Sequence, residues 1–286
     1  MAHSQNMKIG FRDWTSTATV SGGSWRSEYP VDNVGIPEMA RVARSTDASP
    51  ESTQMTLTLN PERPAQLYSI VLPNATISAE FRIVRRDAVG DEIGDTGWMP
   101  VYPRVYHPEN LWWEDERFWG QSYTQDEIER AVFTRPYDTG DSKITREADI
   151  LLSDPGNPDG YLDVCYVSVA ESWQLSVNMA YGSAHTLETR SKAIQARGGA
   201  KAFSRLPKPR RLSATVDYMP HREAMERAYE LQRQLDITDA FLLHPYPDEP
   251  IQWLRTTFIA RNRQLGAIER AVYDHDTVQF EFEEVL

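Results

Sequence analysis

Between Ser78 and Asp87 polar and apolar residues alternate. Ala79, Phe81 and Ile83 fall on one face, and Glu80, Arg82 and Val84 on the other. A period of two marks a half-buried β-strand. Three other runs near the start of the chain, TATVSGG, QMTLTLN and QLYSIVLPN, show short alternation or β-branched enrichment. Clusters of Gly, Pro, Asn and Ser (SGGS, NPERPA, VGDEIGD) separate them as turns. Short strands with turns at this spacing predict an antiparallel β-sandwich over residues 8–105.

The pattern changes over residues 106–160. ENLWWEDERFWG comes first, then YTQDEIERAVF, in which Thr124 and Glu127 form a capping box that starts a short helix through Phe133. SDPGNPDGY is turn chemistry throughout. This segment reads as an acidic, partly extended connector. Strand patterns resume at Tyr161 with YLDVCYVSV and SWQLSVNMAYG, followed by a basic loop, TRSKAIQARGGAKAFSRLPKPRR. RLSATVDYM is the next strand. A helix over 221–235 follows, with Pro220 at its start and a stripe of Ala224, Ala228, Leu231 and Leu235. DAFLLHPYP, WLRTTFIARN, AIERAVYD and TVQFEFEEVL are predicted strands that complete a β-rich domain over 161–286. The class is therefore mainly β, α+β overall, with one main helix.

Charge adds an asymmetry to this layout. The chain carries a net charge of −12, which argues against broad affinity for nucleic acid. Between Arg190 and Arg211 lie eight basic residues and no acid, while acids outnumber bases fourteen to five between Glu109 and Asp163. A basic loop and an acidic connector predict contact between them, within a subunit or between copies. No apolar run is long enough for a transmembrane helix. The start, MAHSQNMKIG, reads as a short frayed arm with no signal-peptide pattern.

Candidate chemistry is sparse. The single cysteine, Cys165, sits in an alternating strand and reads as a buried core thiol. No two of the six histidines lie within four residues of each other, so no HExxH exists. PGNPDG has the spacing of a calcium loop, but Pro155 and Tyr166 occupy the two positions where carboxylates are essential. G-x-S-x-G, Walker A and G-x-G-x-x-G sequences are missing. The reading is of a protein that is not an enzyme, with no metal, no cofactor, no nucleic-acid partner and no membrane partner. What remains is ENLWWEDERFWG, with three tryptophans in eight positions and four acids among them. Trp112, Trp113 and Trp119 are candidates for sugar stacking. They are equally candidates, with Arg190, Arg197, Arg210 and Arg211, for an interface with a neighbouring subunit, since Trp and Arg dominate such contacts. Anchoring of an extended segment to a domain or a neighbouring subunit is the simpler reading of the three indoles, because a sugar platform exposes much apolar area.

RLSATVDYM, the helix HREAMERAYELQRQLD, DAFLLHPYPDEP, WLRTTFIARN and the ending FEFEEVL together resemble tail proteins of long-tailed bacteriophages, of the distal-tail or baseplate group. WRSEYPVDNVGIPEMARVARSTD with MTLTL and YSIVLPN is similar to a galactose-binding-like sandwich, a resemblance that implies a jelly-roll-like β-sandwich for this domain. LWWEDERFWG also looks like the aromatic linker of such phage proteins. The better-known distal-tail proteins place the ring-forming domain first, and here the order is reversed. The resemblance implies a structural component of the virion tail, made in the host cytoplasm. It would form or decorate a homo-oligomeric ring at the distal end and contact tail-tube, tail-hub and fibre proteins. The alternative it implies is a carbohydrate-binding module that contacts host surface glycans.

Overall fold

The computed structural model describes residues 5–107, 109, 111–195, 199 and 201–286. The chain is mainly β and divides into two compact units. Met1–Gln174 with Phe241–Ile259 form one, and Leu175–Ala240 with Ala260–Leu286 the other.

The strands of the first unit are β1 (Lys8–Asp13), β2 (Thr19–Ser21), β3 (Ala43–Arg44), β4 (Met55–Val71), β5 (Glu80–Arg86), β6 (Glu92–Asp95), β7 (Met99–Pro100), β8 (Thr134–Ser153), β9 (Asp163–Val164) and β10 (Tyr166–Gln174). The second unit contributes β11 (Ala184–Leu187), β12 (Lys192–Gln195), β13 (Lys201–Ser204) and β14 (Arg210–Pro220). The chain then returns to the first unit for β15 (Phe241–His244). It ends with β16 (Phe258–Gln264), β17 (Ile268–Val272) and β18 (His275–Glu284).

In the first unit an antiparallel sheet runs β15-β1-β10-β4-β8-β5-β6, with β2 added to β4, β7 to β5, and β3–β9 as a separate pair. The alternation read in Ser78–Asp87 is β5: Phe81 and Ile83 are buried among Leu57, Ile70, Ile150 and Leu152. Burying each such side chain stabilises the fold by about 1.5–3 kcal/mol. Three expectations need correction here. VGDEIGD is a turn only at its start, because its EIGD is β6, paired with β5. NPERPA is not a turn between strands, because β4 runs through it. Its pairing with β8 shifts register between Thr58 and Arg63, around Pro61, while Pro64 is taken into the ladder opposite Ile144; neither proline can donate to it. Nor are residues 106–160 only a connector, since Thr134–Ser153 are β8, paired with both β4 and β5. SDPGNPDGY is a turn as read. Buried Asp154 accepts from Thr76 Oγ1 at Oδ1 (2.6 Å) and from Asn157 Nδ2 at Oδ2 (3.0 Å), so both its oxygens are engaged within the fold. Cys165 is buried, and that burial pushes its thiol pKa up to about 12.

The second unit is built on an antiparallel sheet, β11-β14-β18-β16, with β17 also paired to β18. Leu212, Ala214, Val216, Val278, Phe280 and Phe282 form its buried face, and Phe280 stacks on Phe282 at 5.3 Å. The helix forms over 221–235 with Pro220 as its N-cap, and Ala224, Ala228 and Leu231 are buried. Its middle, Ala224–Tyr229, is a π-turn, a wider winding that no apolar stripe predicts. Three further expectations change. WLRTTFIARN is half helix, because Pro250–Thr256 wind before β16 begins. SWQLSVNMAYG is strand only to Gln174. The basic loop contains strands β12 and β13, paired as an isolated two-stranded ribbon. Among the described residues no helix is long and apolar enough to cross a membrane. None of their His, Cys, Asp and Glu side chains form a group able to hold a metal ion.

Candidate functional site

The tryptophan-rich segment belongs to the first unit and is held at its base. Gln121 turns the chain in the left-handed region (φ 54°), and its carbonyl accepts from the amides of Val105 (2.6 Å) and Tyr106 (3.0 Å). The capping box forms as read, with Thr124 Oγ1 accepting from Glu127 N and Glu127 Oε2 accepting from Thr124 N, but its helix ends at Glu129 rather than Phe133. Arg117 Nη2 donates to Glu127 Oε1 at 3.1 Å, and its guanidinium lies over the Tyr106 ring. Burial pushes the Glu127 pKa up, but the Thr124 amide and the Arg117 cation outweigh it and hold the carboxyl below its usual value. Below this base Tyr102, Tyr123 and Phe133 pack into the core. Their ring centroids are 5.1 Å (Tyr102–Phe133) and 5.7 Å (Tyr123–Phe133) apart, and Tyr123 donates its hydroxyl hydrogen to the Pro250 carbonyl.

The indoles are not part of that anchor. Trp112, Trp113 and Trp119 are 81, 69 and 81% exposed. Of the reading of the three tryptophans as an anchor to a domain or to a neighbouring subunit, the first half is therefore corrected: tyrosine and phenylalanine hold the segment on its own domain, and it presents the indoles to solvent. Trp119 has Phe118 edge-on at 5.2 Å. Glu114 and Glu116 are exposed beside them and form no ion pair among the described residues. A flat aromatic face next to free carboxylates can stack on the apolar side of a sugar ring and accept its hydroxyls. It can equally receive a cationic, apolar protein surface.

In the second unit, the arginines singled out from the sequence separate into two groups. Arg190 pairs with Glu283, Arg210 with Glu284, and Arg211 with both Glu188 and Glu283. Their charge is thus engaged at the root of the ribbon by the Glu-Glu pair of β18 and by Glu188. Arg197 lies outside the described residues. The cations left are Lys192, Lys201, Arg205 and Lys208, which make no ion pair among the described residues.

The ribbon itself was missed as an element. Ala193 lies opposite Phe203 and Ile194 opposite Ala202, so one face carries Lys192 with Ile194 and the other Lys201 with Phe203. Every residue of both strands is exposed, Ile194 at 67% and Phe203 at 69%. The repeated four-residue pattern KAIQ and KAFS around Gly198-Gly199 is the signal that could have revealed it.

No known family profile matches the chain, and none of the curated proteins compared with it does. Among solved structures it is similar to a family 32 carbohydrate-binding module of Clostridium perfringens NanJ solved with galactose. The identity is 12% and the TM-score 0.39, over 57% of this chain and 99% of that one. A fucose-binding module of Streptococcus pneumoniae is similar at 9% identity and a TM-score of 0.35, over 56% of this chain and 98% of that one.

Proposed function

We propose that this chain is a non-catalytic structural protein that assembles with further copies of itself, as a subunit of the distal tail or baseplate of a long-tailed phage. The observation that carries the assembly reading is the β12–β13 ribbon. An isolated two-stranded hairpin is marginal in water, and this one leaves Ile194 and Phe203 uncovered on opposite faces. Leu187 and Leu206, exposed at 67 and 42%, extend the apolar surface along its stalk. The phage assignment rests on the sequence resemblance. The test is the mass of the full chain by light scattering. A multiple of the single-chain mass is expected, reduced to the single chain when residues 192–204 are replaced by a short Gly-Ser turn. An intact chain that stays monomeric at its highest soluble concentration overturns the reading.

A second reading has its own observation in the three exposed indoles beside Glu114 and Glu116. Under it, the segment binds glycans on the host surface, with galactose- and fucose-containing arrays as the first probes. Trp112→Ala, Trp113→Ala and Trp119→Ala are then expected to weaken array binding by roughly fivefold or more each, since a single aromatic anchor is worth more than about 1 kcal/mol. Their thermal midpoints should stay at the parent value. Binding that survives all three substitutions rejects this reading.

A further inference from the structure

The ribbon and the tryptophan segment have complementary surfaces. The ribbon and its stalk offer exposed apolar side chains, Ile194, Phe203 and Leu206, among the unpaired cations Lys192, Lys201, Arg205 and Lys208. The segment offers Trp112, Trp113 and Trp119 among the exposed acids Glu109, Glu114 and Glu116. Neither surface is balanced within its own stretch of sequence, since 190–211 contains no acid and Glu109–Gly120 has four acids to one base. Ammonium and guanidinium groups over indole faces are favourable in their own right, and they gain when neighbouring carboxylates share the contact and water is excluded. The arginines at the ribbon's root are already neutralised by Glu188, Glu283 and Glu284, so the charge left free is carried by the strands and the stalk that follows them.

We infer that the ribbon of one copy docks on the Glu109–Gly120 segment of the next copy. The proposal rests on the self-assembly reading above and names the surface that receives the ribbon. Two different surfaces meet, so the contact is heterologous: each copy gives a ribbon and receives one. Repeated with a rotation that closes, such a contact makes a ring, and with one that does not, an open filament.

A charge-swap pair tests it. One variant reverses the ribbon (Lys192→Glu, Lys201→Glu, Arg205→Glu, Lys208→Glu), and the other reverses the segment (Glu109→Lys, Glu114→Lys, Glu116→Lys). Each variant alone sets like charges against each other and is expected to lose roughly tenfold or more in self-association. In an equimolar mixture the acidic ribbon of the first meets the basic segment of the second. The parent ribbon of the second also meets the parent segment of the first, so assembly returns. Salt should weaken the parent assembly, because the screening length falls from about 10 Å at 0.1 M to about 3 Å at 1 M. A photo-crosslinking residue at Phe203 of the otherwise unaltered chain checks the contact without charge changes. Mixed isotopic labels are expected to place its adducts on the 105–130 region of a different copy. If the parent assembles but mixing restores nothing, or the adducts fall elsewhere, the docking proposal is overturned while self-assembly stands. A parent that never assembles removes both.

Discussion

Phe133→Ala is expected to destabilise the first unit by about 3–4 kcal/mol, the usual cost of deleting a buried phenylalanine ring and leaving a cavity. The ring is 2% exposed and lies against Tyr102 and Tyr123. Tyr123 in turn donates to the Pro250 carbonyl, and burial raises its hydroxyl pKa. Removing Phe133 therefore loosens the cluster that fixes the base of the tryptophan segment, as well as costing its own packing. Trp112→Ala deletes a larger ring, yet it should cost no more than about 0.5 kcal/mol, because surface changes away from caps, cores and networks stay within that range. Urea titrations of both variants separate the two cases. The midpoint should move for Phe133→Ala and hold for Trp112→Ala, with similar slopes. Equal losses would mean that the indoles, not the phenyl cluster, carry the packing of this segment.

That contrast shows where the sequence was legible. The strand pattern of Ser78–Asp87, the capping box at Thr124 and the helix over 221–235 all follow from local rules, and the structure forms all three. What failed depended on partners distant in the chain. NPERPA looks like a turn by composition, but β8 supplies a ladder that tolerates Pro61 at a register shift and Pro64 opposite Ile144. Pro250 starts a helix that extends through Thr256, into a run whose β-branched residues read as strand. For the tryptophan segment, composition located the cluster but could not say which aromatics are inside. Tyr123 and Phe133 look unremarkable in the sequence and become anchors only because Tyr102 is folded against them. The ribbon was hidden for another reason. Eight basic residues dominate its composition, and its strands have four residues each with alanine between the informative positions.

The second large effect is a loss of stability in mild acid, and it centres on His244. This residue of β15 is 4% exposed, with Nδ1 2.8 Å from Thr257 Oγ1 and the Trp253 ring edge-on at 5.2 Å. Burial lowers its pKa to about 3, and the neighbouring Lys8 cation adds to the depression. In the unfolded chain the imidazole titrates near its ordinary value of about 6.5. Above that pH neither state holds the proton, and His244 has no influence on the pH dependence. As pH falls below it, the unfolded chain takes up a proton that the folded chain refuses, so unfolding becomes easier by about 1.4 kcal/mol per pH unit until the folded pKa is reached. By pH 4 the expected cost from this one group is about 3 kcal/mol. Carboxylates add to the acid sensitivity: Asp95, lowered to about 2 chiefly by its hydrogen bond from Arg82, and Glu127 lose their stabilisation as pH drops through their folded values. The discriminating quantity is therefore a difference between variants. His244→Gln keeps a neutral hydrogen-bonding group that cannot be protonated in this range, and its urea midpoint is expected to fall less steeply than the parent's between pH 6.5 and pH 4. Parallel curves over that interval would show that the buried imidazole does not set the acid limit. The acid limit would then lie with the carboxylates.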